Sequence, residues 1–276
     1  MKYNRVLTIQ DISCLGQCSM TVALPILSAC GQETCILPSA VLSTHTGGFS
    51  FPAIRDLSED LPRIQQHWQT ENITFDAIYT GYLGSTKQIG YVADIFATML
   101  RPGGKIIVDP AMADHGKLYK GFDMEYANAM AQLCKQADVI LPNLTEACLM
   151  TGCEYKTEYD EAYIGQVLCK LHDMGMKCVV LTGVSYRPNE TGVLISNGNS
   201  TYYYRHAKLQ RSFHGTGDIY ASAFVGSWLG GKSMEEAARF AADYACQCIQ
   251  ATLDDESHWY GTKFESVLYK LIEALQ

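Results

Sequence analysis

No run of lysine or arginine forms a basic stripe anywhere in these 276 residues, and the net charge is −8. That argues against nucleic acid or an anionic membrane surface as a partner. No apolar stretch approaches the roughly 20 residues needed to cross a bilayer, so no membrane is expected. Arg5-Val6-Leu7-Thr8-Ile9 opens a strand almost at once, which leaves no room for a signal peptide. C-x-x-C pairs are missing as well. The 11 cysteines are odd in number, and Cys30, Cys134, Cys169, Cys178, Cys246 and Cys248 fall in apolar periodic segments, where free cysteine acts as a small hydrophobe. Neither a disulfide framework nor a zinc site is expected, and a reducing cytoplasm is the expected setting. The Asn-x-Thr patterns at Asn72, Asn143, Asn189 and Asn199 have no secretory context. Linkers, repeats and low-complexity tracts are absent. With 47% hydrophobic residues there is enough for a large core, and residues 1–276 read as one domain.

What is there alternates. Strands are predicted at Val6–Gln10, Thr34–Leu37, Phe75–Thr80, Lys105–Val108, Asp138–Leu141 and Cys178–Thr182. Between them the apolar spacing predicts helices at Ser19–Cys30, Leu57–Trp68, Gln88–Met99, Met124–Gln136, Leu144–Thr151 and Glu161–Met174. Val193–Ile195 and Tyr202–His206 read as a hairpin around Asn197-Gly198. Helices at Asp218–Leu229, Met234–Thr252 and Phe264–Leu275 close the chain. Repeated strand–helix units imply a three-layer α/β fold, a mostly parallel central sheet with helices on both faces. In such sheets ligands bind at the carboxyl ends of the strands. Polar residues gather at those ends: Asp11 and Ser13, Tyr82, Asp109, Asn143 and Glu146, and Thr182.

Residues 213–222, Phe-His-Gly-Thr-Gly-Asp-Ile-Tyr-Ala-Ser, are the most informative in the chain. A Gly-Thr-Gly turn that opens a helix aims unpaired backbone N–H groups and the positive helix end at one point, which suits a phosphate. Asp218 sits in the first turn beside that point. A carboxylate set against an anion repels it, so binding alone explains the pairing poorly. A general base taking a proton from an attacking hydroxyl explains it better. The plain alternative is a glycine turn followed by an ordinary helix-start carboxylate, stabilising by up to about 1 kcal/mol. The motif alone leaves both open.

Residues 226–233, Gly-Ser-Trp-Leu-Gly-Gly-Lys-Ser, match the P-loop pattern letter for letter. That pattern requires a strand before it and a helix after it. Here Tyr220–Val225 belongs to the helix after the Gly-Thr-Gly turn. Gly230-Gly231 reads as its stop, and Ser233 with Glu236 as the capping box of the next helix. Phosphate contact is assigned to 215–217 instead.

Six segments in order resemble the pyridoxal (vitamin B6) kinase branch of the ribokinase superfamily. They are Ile9-Gln10 with its following turn, Ser43-Thr-His-Thr46, Gly81-Tyr-Leu-Gly-Ser85, Val108-Asp-Pro110, Pro142-Asn-Leu-Thr-Glu146 and Gly215-Thr-Gly-Asp218. The resemblance covers essentially the whole chain. It implies a sheet of eight or more strands and ATP as co-substrate. The acceptor it implies is the 5′-hydroxymethyl of pyridoxal, pyridoxine or pyridoxamine. By the same resemblance Asp218 matches the catalytic base, and Gly215, Thr216 and Gly217 the anion hole. Asn143 and Glu146, with Asp109 nearby, match the group that holds Mg²⁺ through water. Thr182 matches a contact to the ATP phosphates, and Tyr119, within Ala113–Phe122, the lid over the nucleotide. Thr46 and Tyr82 match positions lining the pyridine ring, with Asp11 and Ser13 at the adjoining strand end. A homodimer is a family expectation, and whether a monovalent cation joins Mg²⁺ is left open by the sequence.

Each site also has an ordinary reading. Asp109 before Pro110 can end a strand, and Asn143 can cap the helix behind it. Tyr82 can be packing, and His45 and His214 read as hydrogen-bonded structural residues. Two departures stand out. Asp11 stands where many relatives carry serine, and a carboxylate facing the ring would favour a protonated ring nitrogen or a cationic amine. That points to better relative use of pyridoxamine. His214 stands where relatives often have an apolar residue. A hydroxymethylpyrimidine kinase is the nearest alternative, though such enzymes typically carry cysteine at the Asp218 position. A sugar kinase fits less well, since Tyr82, Phe49 and Phe51 suit a flat ring. A non-catalytic B6-vitamer binding protein would gain nothing from the base.

Overall fold

The computed structural model describes residues 2–275. Its main sheet has nine strands: β1 (Arg5–Ser13), β2 (Glu33–Leu42), β3 (Ile54–Asp56), β4 (Phe75–Thr80), β5 (Leu100–Val108), β8 (Val139–Ile140), β9 (Val179–Val184), β10 (Glu190–Ser196) and β11 (Thr201–Ala207). A two-stranded hairpin, β6 (Ala113–Asp114) and β7 (Lys117–Leu118), stands apart from it. The strand order is β11-β10-β9-β8-β5-β4-β1-β2-β3. Pairing is parallel from β2 through β9 and antiparallel only at the two edges, β2–β3 and β9–β10–β11.

Helices cover both faces because the central strands are apolar on both sides. Odd positions of β1, Leu7 and Ile9, face one core. It is shared with α2 (Leu61–Thr70), α3 (Thr86–Met99), α4 (Met124–Cys134), α5 (Leu144–Thr151) and α6 (Glu161–Asp173). Val6, Ala77, Tyr79 and Ile107 face the other, packed by α1 (Met20–Ala29), α7 (Thr216–Leu229) and α8 (Met234–Gln250). At the crossing of α1 and α7, a Cβ on Gly226 would come within 2.6 Å of Cys30. The P-loop look-alike is therefore a helix–helix contact, and α7 ends as a Schellman turn with Gly231 at φ 115°. The Ser233–Glu236 capping box starts α8 as expected.

Several boundaries differ from the sequence reading. β3 was hidden because all three of its residues are exposed and show no alternation. β5 starts five residues early, running through Pro102-Gly103-Gly104. The last helix is broken into a 3₁₀ turn at Phe264–Val267 and α9 (Leu268–Glu273).

The strand order switches sides at β1, whose parallel neighbours are β2 on one side and β4 on the other. A crevice opens at such a switch point, above the carboxyl ends of the strands. Asp11, Ser13, Tyr82, Asp109, Asn143 and Thr182 all lie along that edge.

Candidate active site

The start of α7 closes the crevice from above the β1 end. Gly215 is its N-cap in the left-handed region, φ 78°. A Cβ there would fall onto the carbonyl oxygen of Gln17, so only glycine fits. Thr216 donates its hydroxyl to the carbonyl of Phe213, which pins the turn. Gly217 differs: its backbone is not left-handed and a Cβ would meet no protein atom. Nothing in the protein's own packing asks for glycine at 217, whereas close approach of a ligand to the backbone would. The first N–H groups of α7 have no helical partner.

Asp218 follows in the first turn, half-buried and enclosed by protein atoms. Burial pushes its carboxyl from 3.8 up to about 7, the nearby Asp11 adds to the rise, and the backbone N–H of Ser19 opposes it. Ser19 is a residue the sequence reading placed only at a helix start. It is buried, adopts φ 53°, and faces Asp11 with its hydroxyl and Asp218 with its N–H. A non-glycine residue in that region costs on the order of 1–2 kcal/mol, so the local structure holds the N–H there against strain. Cys18, also missed, lies against Gly215 and near both carboxylates, and burial drives its thiol well up.

On the β1/β4 side, Asp11 is 5% exposed and accepts a hydrogen bond from Ser13 Oγ at 3.1 Å. Burial raises its carboxyl. Tyr82 follows β4 and stacks on Phe122 at 5.5 Å, which stacks on Tyr126 at 3.8 Å. Asp11 and Tyr82 are close enough to interact electrostatically, so residues 71 positions apart in sequence meet at one aromatic wall. Thr46 lies on the neighbouring loop and is exposed, while His45 beneath it is buried, bonded to the carbonyl of Tyr260 at 2.7 Å and packed on Phe49. Burial lowers its basicity. His214 sits 5.3 Å from His45, ring to ring. Phe51 is 94% exposed, while Phe49 packs on His45.

The opposite side is built by the first turn of α5. Asn143 Oδ1 accepts the N–H of Glu146 at 3.0 Å and Glu146 Oε2 accepts that of Asn143 at 2.9 Å, a complete capping box. The same two side chains hold the β6–β7 hairpin. Glu146 Oε1 accepts from Met112 N at 3.0 Å and Ala113 N at 3.4 Å, while Asn143 Nδ2 donates to the Ala113 carbonyl at 2.8 Å. Thr145 Oγ1 accepts from Gly116 N at 3.0 Å. The hairpin turns through His115 and Gly116, both at positive φ, as a two-residue type I′ turn requires. Tyr119, 40% exposed, follows it. Thr182, on β9, forms a backbone bridge to Asn143. Asp109 is 9% exposed, and burial together with Glu146 and Asp218 pushes its carboxyl well above the usual range. Glu146 is raised by burial too, against its three backbone donors.

Asp11, Asp109, Glu146 and Asp218 thus converge on one crevice. Among the described residues none of the four forms an ion pair with lysine, arginine or histidine. No group of three His, Cys, Asp or Glu side chains among them is placed to hold a metal directly. Uncompensated buried carboxylates of this kind fit a cation held at one remove, through water.

Residues 27–262 match the phosphomethylpyrimidine kinase family. The chain belongs to that family. This member is similar to a Bacteroides thetaiotaomicron protein provisionally named a phosphomethylpyrimidine kinase and crystallised with pyridoxal. The TM-score is 0.91 at 36% identity, covering 98% of this chain and 96% of that one. Pyridoxal kinase from Lactobacillus plantarum also superposes with a TM-score of 0.91, at 31% identity over 98% of this chain and 97% of its own. The pyridoxine/pyridoxal/pyridoxamine kinase of Bordetella avium is 28% identical over 261 residues, 90% of this chain and 85% of the relative. The ribokinase-like α/β architecture expected from the sequence is the one observed.

Proposed function

We propose that this protein is a pyridoxal kinase, transferring the γ-phosphoryl group of ATP to the 5′-hydroxymethyl of a B6 vitamer. The placement of Asp218 carries the reading. Its carboxyl stands at the amide-lined start of α7, between the Asp11–Tyr82 wall and the Asn143–Glu146 turn, where burial pushes it up to about 7. A base needs that titration range to accept a hydroxyl proton and lose it again at neutral pH. Likeness to pyridoxal kinases over nearly the full chain supports the same reading.

In this reading the vitamer ring lies against Tyr82, with Asp11 and Ser13 at its polar edge, Thr46 at the mouth, and its hydroxymethyl beside Asp218. The nucleotide lies along Asn143 and Thr182, with Tyr119 over it. Phosphoryl transfer asks mainly for positioning and charge neutralisation. Asp218 takes the hydroxyl proton as the oxygen attacks, and the amides of 215–217 stabilise charge on the transferring oxygens. Mg²⁺ would be held through water by Asn143 and Glu146, with Asp109, and would supply neutralisation of phosphate charge. Removing a donor of the anion-hole kind costs about 10²–10³ in rate.

The family match favours one second reading, a hydroxymethylpyrimidine kinase. Turnover of pyridoxal, pyridoxine, pyridoxamine and hydroxymethylpyrimidine with ATP and Mg²⁺, side by side, separates them. We expect a B6 vitamer to be phosphorylated and Asp218→Asn to lower kcat by about 10²–10⁴ with little change in KM. Activity on the pyrimidine alone would transfer the assignment. Vitamer binding without turnover would make the protein a binder.

A further inference from the structure

The loop that carries Thr46 and the turn that carries Gly215 touch through His214 and Gly47. A Cβ on Gly47 would come within 2.5 Å of His214 Nδ1, 2.6 Å of Cε1 and 2.9 Å of Cγ, so the imidazole rests on the Gly47 backbone. The φ of Gly47 lies outside the left-handed region. Its own conformation therefore does not call for glycine, and the ring does. His214 itself is exposed, so burial gives this contact little stability to contribute.

Both partners are held by their surroundings. Gly47 N donates to His45 Nδ1 at 3.1 Å, and His45 Nε2 donates to the Tyr260 carbonyl at 2.7 Å. A carbonyl only accepts, so Nε2 carries the hydrogen and Nδ1 is left as the acceptor the Gly47 N–H needs. The His45 ring packs in turn on Gly16, where a Cβ would come within 2.2 Å of it. One residue on, a Cβ on Gly48 would come within 2.8 Å of Trp259, whose ring lies 4.6 Å from that of Phe49. On the other partner, Gly215 sits against the Gln17 carbonyl and Thr216 ties the turn to Phe213. Neither segment is free to absorb a change at the contact.

We propose that the His214 ring is a spacer: it sets the distance between the vitamer loop and the phosphate turn, and so the approach of the acceptor hydroxyl to the transferring phosphoryl group. Gly47 directly follows Thr46 on the vitamer side, and His214 directly precedes the 215–217 amides. Reacting atoms need a separation of about 3–3.5 Å, and a misplacement of about 1 Å can cost about 10²-fold in rate. His214 is thus a positioning residue, acting through the loop and the turn rather than on substrate. The inference rests on the proposed phosphoryl transfer, and adds what fixes its geometry.

Four variants test it, assayed with whichever acceptor the wild type phosphorylates. His214→Ala opens the gap and Gly47→Ala overfills it. Each is expected to lower kcat about tenfold or more, with KM for ATP and Tm nearly unchanged. In the double variant the added methyl group takes space the ring has left, and kcat should exceed that of either single variant. His214→Phe keeps a ring at the contact without its nitrogens and should recover most of the kcat lost in His214→Ala. Losses that multiply in the double variant, wild-type kcat in Gly47→Ala, or His214→Phe no better than His214→Ala would overturn the proposal. A Tm that falls in step with kcat would make the contact structural and overturn it too. Diffraction on the same variants reads the Thr46–Gly215 separation without any turnover. That separation should change in each single variant and return in the double, and an unaltered one would sink the spacer. A wild type that phosphorylates nothing would instead overturn the kinase reading, so the two failures remain distinct.

Discussion

Asn143 and Glu146 accept each other's backbone N–H, at 3.0 and 2.9 Å, and between them also hold the hairpin at Met112–Ala113. Both carboxylate oxygens of Glu146 are therefore engaged by backbone N–H groups before any ligand arrives. Glu146→Gln puts an amide NH₂ against donors on one side, leaving at least one buried N–H unpaired. We expect a loss of about 1–3 kcal/mol, measured by urea unfolding without nucleotide or Mg²⁺. Unchanged stability would mean that the carboxylate is not the clamp described here. The measurement also separates a structural from a metal-linked cause for any activity lost.

Asp218 sets opposite demands on stability and activity. Its folded carboxyl is raised from 3.8 to about 7, so between those values the native state holds a proton the unfolded chain has released. Stability contributed by this group therefore falls as pH rises through the window and stays reduced above it. Activity runs the other way, with kcat/KM rising as the base ionises near pH 7. Asp218→Asn is expected to raise Tm at pH 8 while nearly abolishing turnover. Asp109 and Glu146 shift in the same direction, so the diagnostic quantity is the difference between mutant and wild type at pH 8 and at pH 5. A Tm difference that does not grow with pH would contradict the raised carboxyl.

Two glycines two residues apart should answer differently to alanine. Gly215→Ala drives a Cβ onto the Gln17 carbonyl at a left-handed φ, and a stability loss of at least about 1–3 kcal/mol is expected. Gly217→Ala meets no protein atom and sits in the first turn of a helix, where alanine is tolerated. We expect its melting temperature to hold while kcat/KM for ATP drops at least tenfold. Retained ATP kinetics in Gly217→Ala would remove residue 217 from the anion hole.

Asp11 shares its crevice with Tyr82, which gives the vitamer expectation a physical setting. Asp11→Ser should lower kcat/KM for pyridoxamine relative to pyridoxal and pyridoxine. An unchanged ranking across the three would show that Asp11 does not select a cationic amine.

The sequence by itself determined the alternation of strands and helices, the two-sided burial of the sheet and the strand ends that meet the crevice. Local rules reach that far: alternating apolar residues, caps such as Ser233 with Glu236, and the Gly-Thr-Gly turn all act within a few residues. Asn143 and Glu146 were legible both as a cap and as a metal-linked pair, because an N-x-x-E pattern serves both. Tertiary structure alone decided that Glu146 reaches back to Met112, that Ser19 in a strained conformation faces Asp218, and that Phe51 points outward. It also decided that Asp218 on α7 stands near Asp11 at the end of β1, residues more than 200 positions apart with no local pattern between them. Such contacts arise only when the sheet order brings β1, β4 and α7 together, and that order follows from burying both faces at once rather than from any one segment.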